Sequence, residues 1–290
     1  MIIVKAQGGL GNQMYQYALY KWYVSQGREC KISLNYFNQY ANNICVQHDR
    51  KYLVDEIFNT HSIFSEPKED SKLGPCNLQM INKLSKFFHI KKKNHFVESA
   101  YKEQIFDESV INIDNVFLDG YWQSIRYIDL VKDILRQEFV FKKELEGRNK
   151  ELQQLILHNP SISIHVRRGD YLVLNNYIQL DSTYYNSAVQ YVINHESKPI
   201  ILCFSDDIEW CRSHIKYDSI IYVDWNKGDN SYIDMQLMSC CKHNIVANSS
   251  FSFWGAWLNS NPNKIVIRPH NSYKNSKEAI DRWPNEWVVF

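Results

Sequence analysis

The chain has 290 residues, 44% of them hydrophobic, enough to bury a substantial core in one large domain or two of ordinary size. Its 33 Lys and Arg nearly balance its 32 Asp and Glu, for a formal net charge of +1, so no global field draws nucleic acid and any anion site must be local. No run of about eighteen apolar residues is present, which excludes a transmembrane helix; residues 1–5 read as a strand start rather than a signal peptide, lacking a basic leader and a cleavage site.

Residues 1–6 form a short apolar run, followed by Gly8-Gly9-Leu10-Gly11-Asn12, a helix over 13–26 that Gly27 can cap, and a strand over 30–34. This is a β-loop-α-β opening. Its glycine loop resembles a dinucleotide fingerprint but fails it. Met14 stands where the third glycine belongs, and Leu34-Asn35 replaces the acidic residue expected after the second strand. What remains is either an anion cradle at a helix N-terminus, built on Gly9 and Gly11 with Asn12 and Gln13 as neutral donors and acceptors, or a tight turn. Residues 35–115 are less periodic. Within them the Lys-rich stretch from Lys72 to Phe96 interleaves Leu78, Ile81, Leu84, Phe87 and Phe88. It reads either as a basic amphipathic helix in peripheral contact with a membrane or, preferably, as an ordinary surface helix with snorkelling lysines. A strand at 116–118 leads into Asp119-Gly120-Tyr121-Trp122-Gln123-Ser124. Helices follow over 127–141 and 148–158, the second stopped by Pro160.

From residue 161 strands and helices alternate: strand 161–167, helix 182–195 capped by Asp181 or Ser182, strand 200–204, helix 207–214, strand 219–223, helix 231–242, strand 244–247, helix 251–259 and strand 264–268. Repeated β-α units imply a parallel sheet with helices on both faces. Two α/β halves dividing near 145–160 suggest two domains with a ligand cleft between them. The seven cysteines (Cys30, Cys45, Cys76, Cys203, Cys211, Cys240, Cys241) are odd in number and form no C-x-x-C. Buried reduced thiols in a reducing compartment are expected, not a zinc site.

The most informative stretch is His165-Val166-Arg167-Arg168-Gly169-Asp170-Tyr171. Strand alternation sets Ile162, Ile164 and Val166 on one face and His165 with Arg167 on the other, near the carboxyl end where open α/β sheets bind ligands. A guanidinium there suits a phosphate, because its planar fork donates parallel hydrogen bonds and keeps its charge. The alternative is a solvated turn or a structural ion pair. Asn248-Ser249-Ser250, between another strand and its helix, is either a second anion cradle or only an N-cap. Two such strand ends in one sheet favour a diphosphate. Asp234, in the helix over 231–242, is either solvated or an acceptor for the N1–H and exocyclic amine of guanine. Asp206-Asp207 reads as a capping pair. No D-x-D, H-E-x-x-H or His/Cys spacing suggests a metal, so a sugar-nucleotide enzyme built this way must neutralise its leaving diphosphate with arginine and backbone amides, which fits Arg167.

Five motifs in order, G-G-L-G-N-Q-M at 8–14, D-G-Y-W-Q-S at 119–124, H-V-R-R-G-D-Y at 165–171, F-S-D-D at 204–207, and D-M-Q-L-M at 234–238 with A-N-S-S-F-S-F-W-G-A-W-L at 247–258, make the chain resemble the bacterial α-1,2-fucosyltransferases of glycosyltransferase family 11 over nearly its whole length. The resemblance implies an α/β, GT-B-type fold of two Rossmann-like domains facing a cleft. Residues 1–155 would take the acceptor and residues 156–290 GDP-fucose, with the last residues packing back on the first domain. It implies metal-independent, inverting transfer of L-fucose from GDP-β-L-fucose to the 2-hydroxyl of a terminal galactose, in glycan or O-antigen synthesis. No cofactor is expected, and the enzyme would be cytoplasmic or peripheral at the inner face of the cell membrane. His165 and Asp234 would hold guanine; Arg167 would hold the β-phosphate, helped by Ser249 and Ser250, with Gly9 and Gly11 also on the donor. Asn12 would sit in the cleft near the phosphate or fucose.

Some relatives carry a carboxylate just beyond the basic motif, where this chain has Leu172-Val173-Leu174-Asn175. That leaves Asp170 as the nearest candidate base, unless it only orients Arg167 or Arg168; Arg168, on the opposite strand face, reads as structural. Tyr121 and Trp122 are the candidate acceptor contacts. Phe253, Trp254 and Trp257 could also stack on sugars, though Trp254 and Trp257 share a helix face and read as core. The competing assignments are an α-1,6- or protein O-fucosyltransferase of the same superfamily, or a non-catalytic nucleotide- or glycan-binding module.

Overall fold

The computed structural model describes residues 1–37, 51–74, 94–99, 104–174, 176–274 and 281–290. The described chain forms two compact units. One comprises residues 1–140 with 281–283, the other residues 141–274 with 284–290.

The first unit carries β1 (Ile2–Lys5), α1 (Leu10–Ser25), β2 (Cys30–Ser33), α2 (Val54–Ile57), α3 (Pro67–Leu73), β3 (His95–Val97), α4 (Glu108–Asn112), β4 (Val116–Asp119), α5 (Ile125–Asp129) and α6 (Lys132–Glu138). Its sheet has the order β2-β1-β4-β3, every pairing parallel. A parallel strand covered on both faces must be apolar throughout. Ile2, Ile3 and Val4 of β1 are accordingly all fully buried, Ile3 packing with Leu73 of α3 and Phe117 of β4. The helix expected over 127–141 is two short helices instead. Val131 leaves helical geometry at φ −136°, and its N–H turns back to the Ile128 carbonyl.

The second unit carries α7 (Gly147–His158), β5 (Ser161–Val166), α8 (Ser182–Ile193), β6 (Ile200–Ser205), α9 (Ile208–His214), β7 (Ile220–Val223), α10 (Tyr232–Cys240), β8 (His243–Ile245), α11 (Ser250–Leu258), β9 (Val266–Arg268) and β10 (Val288–Val289). These strands form one parallel sheet of order β10-β9-β8-β5-β6-β7. Ile162, Ile164 and Val166 bury one face of β5 against Tyr185, Ala188, Val189 and Val192 of α8. On the other face Ser163 accepts a hydrogen bond from the Asn244 amide at 2.7 Å.

The units divide between Val140 and Phe141, earlier than the expected boundary after residue 155, because α7 packs on α10 of the second unit. Residues 281–283 return to the first unit, while 284–290 stay with the second and supply its edge strand β10. The Lys-rich stretch falls outside the described residues over 75–93; its ends belong to α3 and β3. Among the described residues no helix is long and apolar enough to cross a membrane. The described cysteines are free thiols, all buried except the half-buried Cys240.

The turn after β4 holds Trp122 at φ 55°, a conformation an aromatic residue adopts only when its surroundings impose it. Glu98 imposes it. Its carboxylate accepts the Tyr121 N–H at 2.6 Å and the Trp122 N–H at 3.2 Å. Glu98→Ala should leave both backbone donors without that acceptor and lower stability by about 1–3 kcal/mol. Denaturant titration checks this, and an unchanged midpoint would contradict it.

Candidate active site

Strand order decides where each unit can take a ligand. In the second unit the chain runs β5, β6, β7 out to one edge, then crosses back to lay β8 on the other side of β5. Open α/β sheets take ligands where the order reverses, which here is at the carboxyl ends of β5 and β8. Residues 167–170 follow β5, and residues 246–250 lead from β8 into α11. The sheet therefore brings His165, Arg167 and Asp170 together with Ser249 and Ser250.

Arg167 is held by two carboxylates. Its Nε and Nη2 donate to Asp170 Oδ1 at 3.0 and 2.7 Å, and Nη1 lies 3.0 Å from Asp206 Oδ2. A guanidinium has five N–H groups, so two still point elsewhere. Burial would lower its pKa, but Asp206 and Asp170 outweigh that and raise it, so Arg167 is always a cation. Asp206 does more: its Oδ1 accepts the Arg168 backbone N–H at 2.9 Å. A Cβ on residue 169 would lie 2.6 Å from Asp206 Oδ2, so a larger residue in that turn would displace the carboxylate that holds Arg167.

The expected capping pair is thus split. Asp207 caps α9 through the Trp210 N–H at 3.2 Å and pairs with Arg168 Nε at 3.0 Å. Asp206 belongs to the arginine cluster instead, because it lies one residue too early for the cap. Arg168 is structural as expected, its guanidinium 4.3 Å over the Trp210 ring.

His165 is buried and tilted against Phe251, ring centroids 5.4 Å apart. Burial pushes its pKa down to about 4, with Asp206 opposing and Arg167 adding to the shift, so the ring is neutral near pH 7. Its Nδ1 lies 2.5 Å from Ser252 Oγ, which already accepts the Ala247 N–H at 3.1 Å. Where the Ser252 hydroxyl is the donor to Nδ1, the ring proton sits on Nε2 and can be given to a ligand. Sequence reading missed Ser252, although the S-S-F-S spacing sets it one helical turn after Ser249. Ser249 caps α11 through the Phe251 N–H at 3.3 Å; Ser250 is half-buried at the first position of that helix.

Asp234 sits in the first turn of α10, which packs on α11. Its Oδ1 accepts from Asn226 Nδ2 at 2.8 Å. Burial raises its carboxyl from the usual 3.8 to about 7, against the pull of that hydrogen bond. Phe253, Trp254 and Trp257 of α11 are buried core residues.

The first unit repeats the topology on a smaller scale. Its order reverses between β1 and β4, so the glycine loop meets the 120–124 turn: Gln123 Nε2 donates to Asn12 Oδ1 at 2.9 Å, and Gln16 Nε2 to the Gly120 carbonyl at 3.0 Å. Gly9 is the extended N-cap of α1 with open space beside it, and Gly11 is buried inside the helix. The left-handed residue is Gly8, at φ 77°, where a Cβ would lie 2.6 Å from Asn12 Nδ2. Gln13 is structural, its amide bridging the Gly8 and Lys51 carbonyls and accepting the Leu53 N–H. Trp122 is 1% exposed and packs against Phe96 and Tyr127, which corrects its expected role as an acceptor contact: no ring face is left for a sugar. Tyr121 remains half-buried. Among the described residues no group of three or more His, Cys, Asp and Glu side chains is arranged to hold a metal ion.

The glycosyl transferase family 11 model matches residues 1–290. The chain belongs to that family. An α-1,2-colitosyltransferase of Escherichia coli is 31% identical, the match covering 99% of this chain and 98% of the relative. A galactoside α-(1,2)-fucosyltransferase 1 of Alouatta belzebul is 25% identical over 52% of this chain and 45% of its own length. The crystal structure of fucosyltransferase NodZ from Bradyrhizobium superposes with a TM-score of 0.50 at 15% identity, covering 88% of this chain and 91% of that one. The fold is thus the GT-B type, two Rossmann-like α/β units, as the motifs led one to expect, and the chain is a glycosyltransferase.

Asp234 yields a test of its environment. Its folded carboxyl titrates above the unfolded one, so the native state holds a proton the unfolded state releases, and stability is lost as pH rises from about 4 through about 7. Asp234→Asn removes the buried charge. The variant should be more stable than the parent at pH 8, by a margin that is clearly smaller at pH 5 and vanishes only below about pH 4. Denaturant titration at both pH values checks this, and a less stable variant at pH 8 would contradict it.

Proposed function

We propose that the chain transfers L-fucose from GDP-β-L-fucose to the 2-hydroxyl of a terminal galactose, with inversion and without a metal. The observation that carries this reading is Arg167: a permanent cation with two uncommitted N–H groups, at the carboxyl end of the strand where the sheet order reverses. The sequence motifs and the family support the sugar and the linkage.

In this reading the diphosphate lies against Arg167 and the start of α11, beside Ser249 and Ser250, where the helix dipole favours an anion. Guanine offers its carbonyl to the His165 Nε2–H and its N1–H and exocyclic amine to Asp234. A titration near pH 7 leaves Asp234 partly ionised there, so donor affinity weakens on acidification. As the galactose hydroxyl attacks C1 from the face opposite GDP, negative charge grows on the departing phosphate. The guanidinium contact strengthens as that charge develops, which lowers the barrier.

Asp170 spends Oδ1 on Arg167, so we assign it the task of orienting the guanidinium rather than taking the acceptor proton. The leaving phosphate can take that proton. Asn12, positioned by Gln123 in the first unit, is assigned to the donor side, and Tyr121 to the acceptor.

The α-1,2-colitosyltransferase relative favours a second reading in which the sugar is colitose, which is fucose without its 3-hydroxyl. The ratio of kcat/KM for the two GDP sugars decides between them.

Purified protein with GDP-fucose, lactose and a chelator should yield 2-fucosyllactose, its linkage read by NMR. Arg167→Ala should lower turnover by on the order of 10²–10³, and Arg167→Lys should retain little, since a point charge cannot replace the fork. Transfer that requires a divalent metal, or near-parental turnover in either variant, would contradict the proposal.

A further inference from the structure

Asp234 ends a chain of side-chain hydrogen bonds that starts at a tryptophan indole. The Trp225 indole Nε1–H donates to Asn149 Oδ1 at 2.8 Å. Asn149 Nδ2 donates to Asn226 Oδ1 at 2.9 Å, and Asn226 Nδ2 returns a hydrogen bond to Asn149 Oδ1 at 3.1 Å. The same Asn226 Nδ2 then donates to Asp234 Oδ1 at 2.8 Å.

An indole nitrogen can only donate. It therefore fixes which end of the Asn149 amide faces it, because a flipped Asn149 would set N–H against N–H. Asn149 in turn fixes Asn226, whose flip would place its oxygen against both the Asn149 oxygen and the Asp234 carboxylate. Both hydrogens of the Asn226 amide are used, and its oxygen accepts one hydrogen bond. Trp225 is itself held by Arg148, whose guanidinium lies 3.5 Å over the indole ring. Three segments are tied together in this way: the first turn of α7, the loop after β7, and the first turn of α10. Among the described residues only one Asp234 oxygen is engaged, and the other, Oδ2, has no partner there and is not sealed from solvent.

We propose that Trp225, Asn149 and Asn226 are positioning residues that aim the Asp234 carboxylate at the guanine edge and so set the preference for guanine over hypoxanthine nucleotides. This rests on the assignment of Asp234 to guanine made above. A donor locked onto Oδ1 fixes the carboxylate rotation, so that Oδ2 and the second lone pair of Oδ1 face two neighbouring N–H groups of a purine. Hypoxanthine keeps N1–H and lacks the exocyclic amine, so the GDP-to-IDP affinity ratio reads that second contact alone.

Calorimetric titration of GDP and of IDP into the whole chain at pH 8 tests the relay, with thermal melts confirming that each variant is folded. Asp234→Asn should lose the preference for GDP, by on the order of tenfold, and Asn226→Ala should lose most of it. Trp225→Phe keeps a ring beneath Arg148 but removes the N–H lock. It should lower the ratio by about threefold while leaving IDP affinity nearly unchanged, since half a tenfold step in log affinity is what partial misalignment of one hydrogen bond costs. If Asp234→Asn keeps the full preference, the guanine assignment itself fails and the relay with it. If Asp234→Asn loses the preference while Asn226→Ala and Trp225→Phe keep it, the guanine assignment stands and the relay is wrong. Equal weakening of GDP and IDP in the relay variants would mark the network as scaffolding alone and overturn the proposal.

Discussion

Asp206 is the group on which the proposed donor site depends. It stands just past the end of β6 and reaches across to the end of the neighbouring strand β5, accepting the Arg168 N–H with one oxygen and pairing with Arg167 through the other. That contact ties the backbone turn to β6, leaves little room for a side chain at 169, and orients the guanidinium. Asp170 completes the frame from the other side. A lone arginine on a turn would spread over many rotamers, and ordering it on ligand binding would cost free energy that here is already spent in folding.

The frame has an electrostatic consequence. Arg167 and Arg168 face Asp170, Asp206 and Asp207, so the cluster carries one more negative than positive charge. It does not attract a diphosphate by net charge. It offers directed donors instead, the two spare N–H groups of Arg167, beside the N-terminal end of α11. Such preorganised dipoles act best where charge develops during reaction rather than on the resting substrate.

Much of the second unit was legible in the sequence because parallel strands buried on both faces write themselves as apolar runs and their helices as amphipathic ones. The strand-end motifs were legible for the same reason: His165, Arg167 and Asn248-Ser249-Ser250 each follow a recognisable strand. Short elements were not. β3 and β10 hold three and two residues, too few for a period to register. The break at Val131 has no proline or glycine to announce it. Partners distant in sequence were invisible too: Ser252 for His165, Glu98 for the Trp122 turn, and the Trp225–Asn149–Asn226 chain behind Asp234. Asn149 and Asn226 lie in a helix start and a loop, where asparagine ordinarily signals nothing more than local capping. Trp122 shows the converse error, a motif residue that looked like a binding surface and is core.

The central claim is that the second unit holds the GDP end of the donor by two fixed grips, Arg167 on the diphosphate and Asp234 with His165 on the base. A crystal structure of the protein with GDP bound tests it most directly. The account predicts the β-phosphate within about 3 Å of the two spare Arg167 N–H groups, with the guanine N1–H and exocyclic amine on Asp234 and its carbonyl on His165 Nε2. A diphosphate bound away from Arg167, or a guanine edge facing solvent while Asp234 stays bonded only to Asn226, would contradict it.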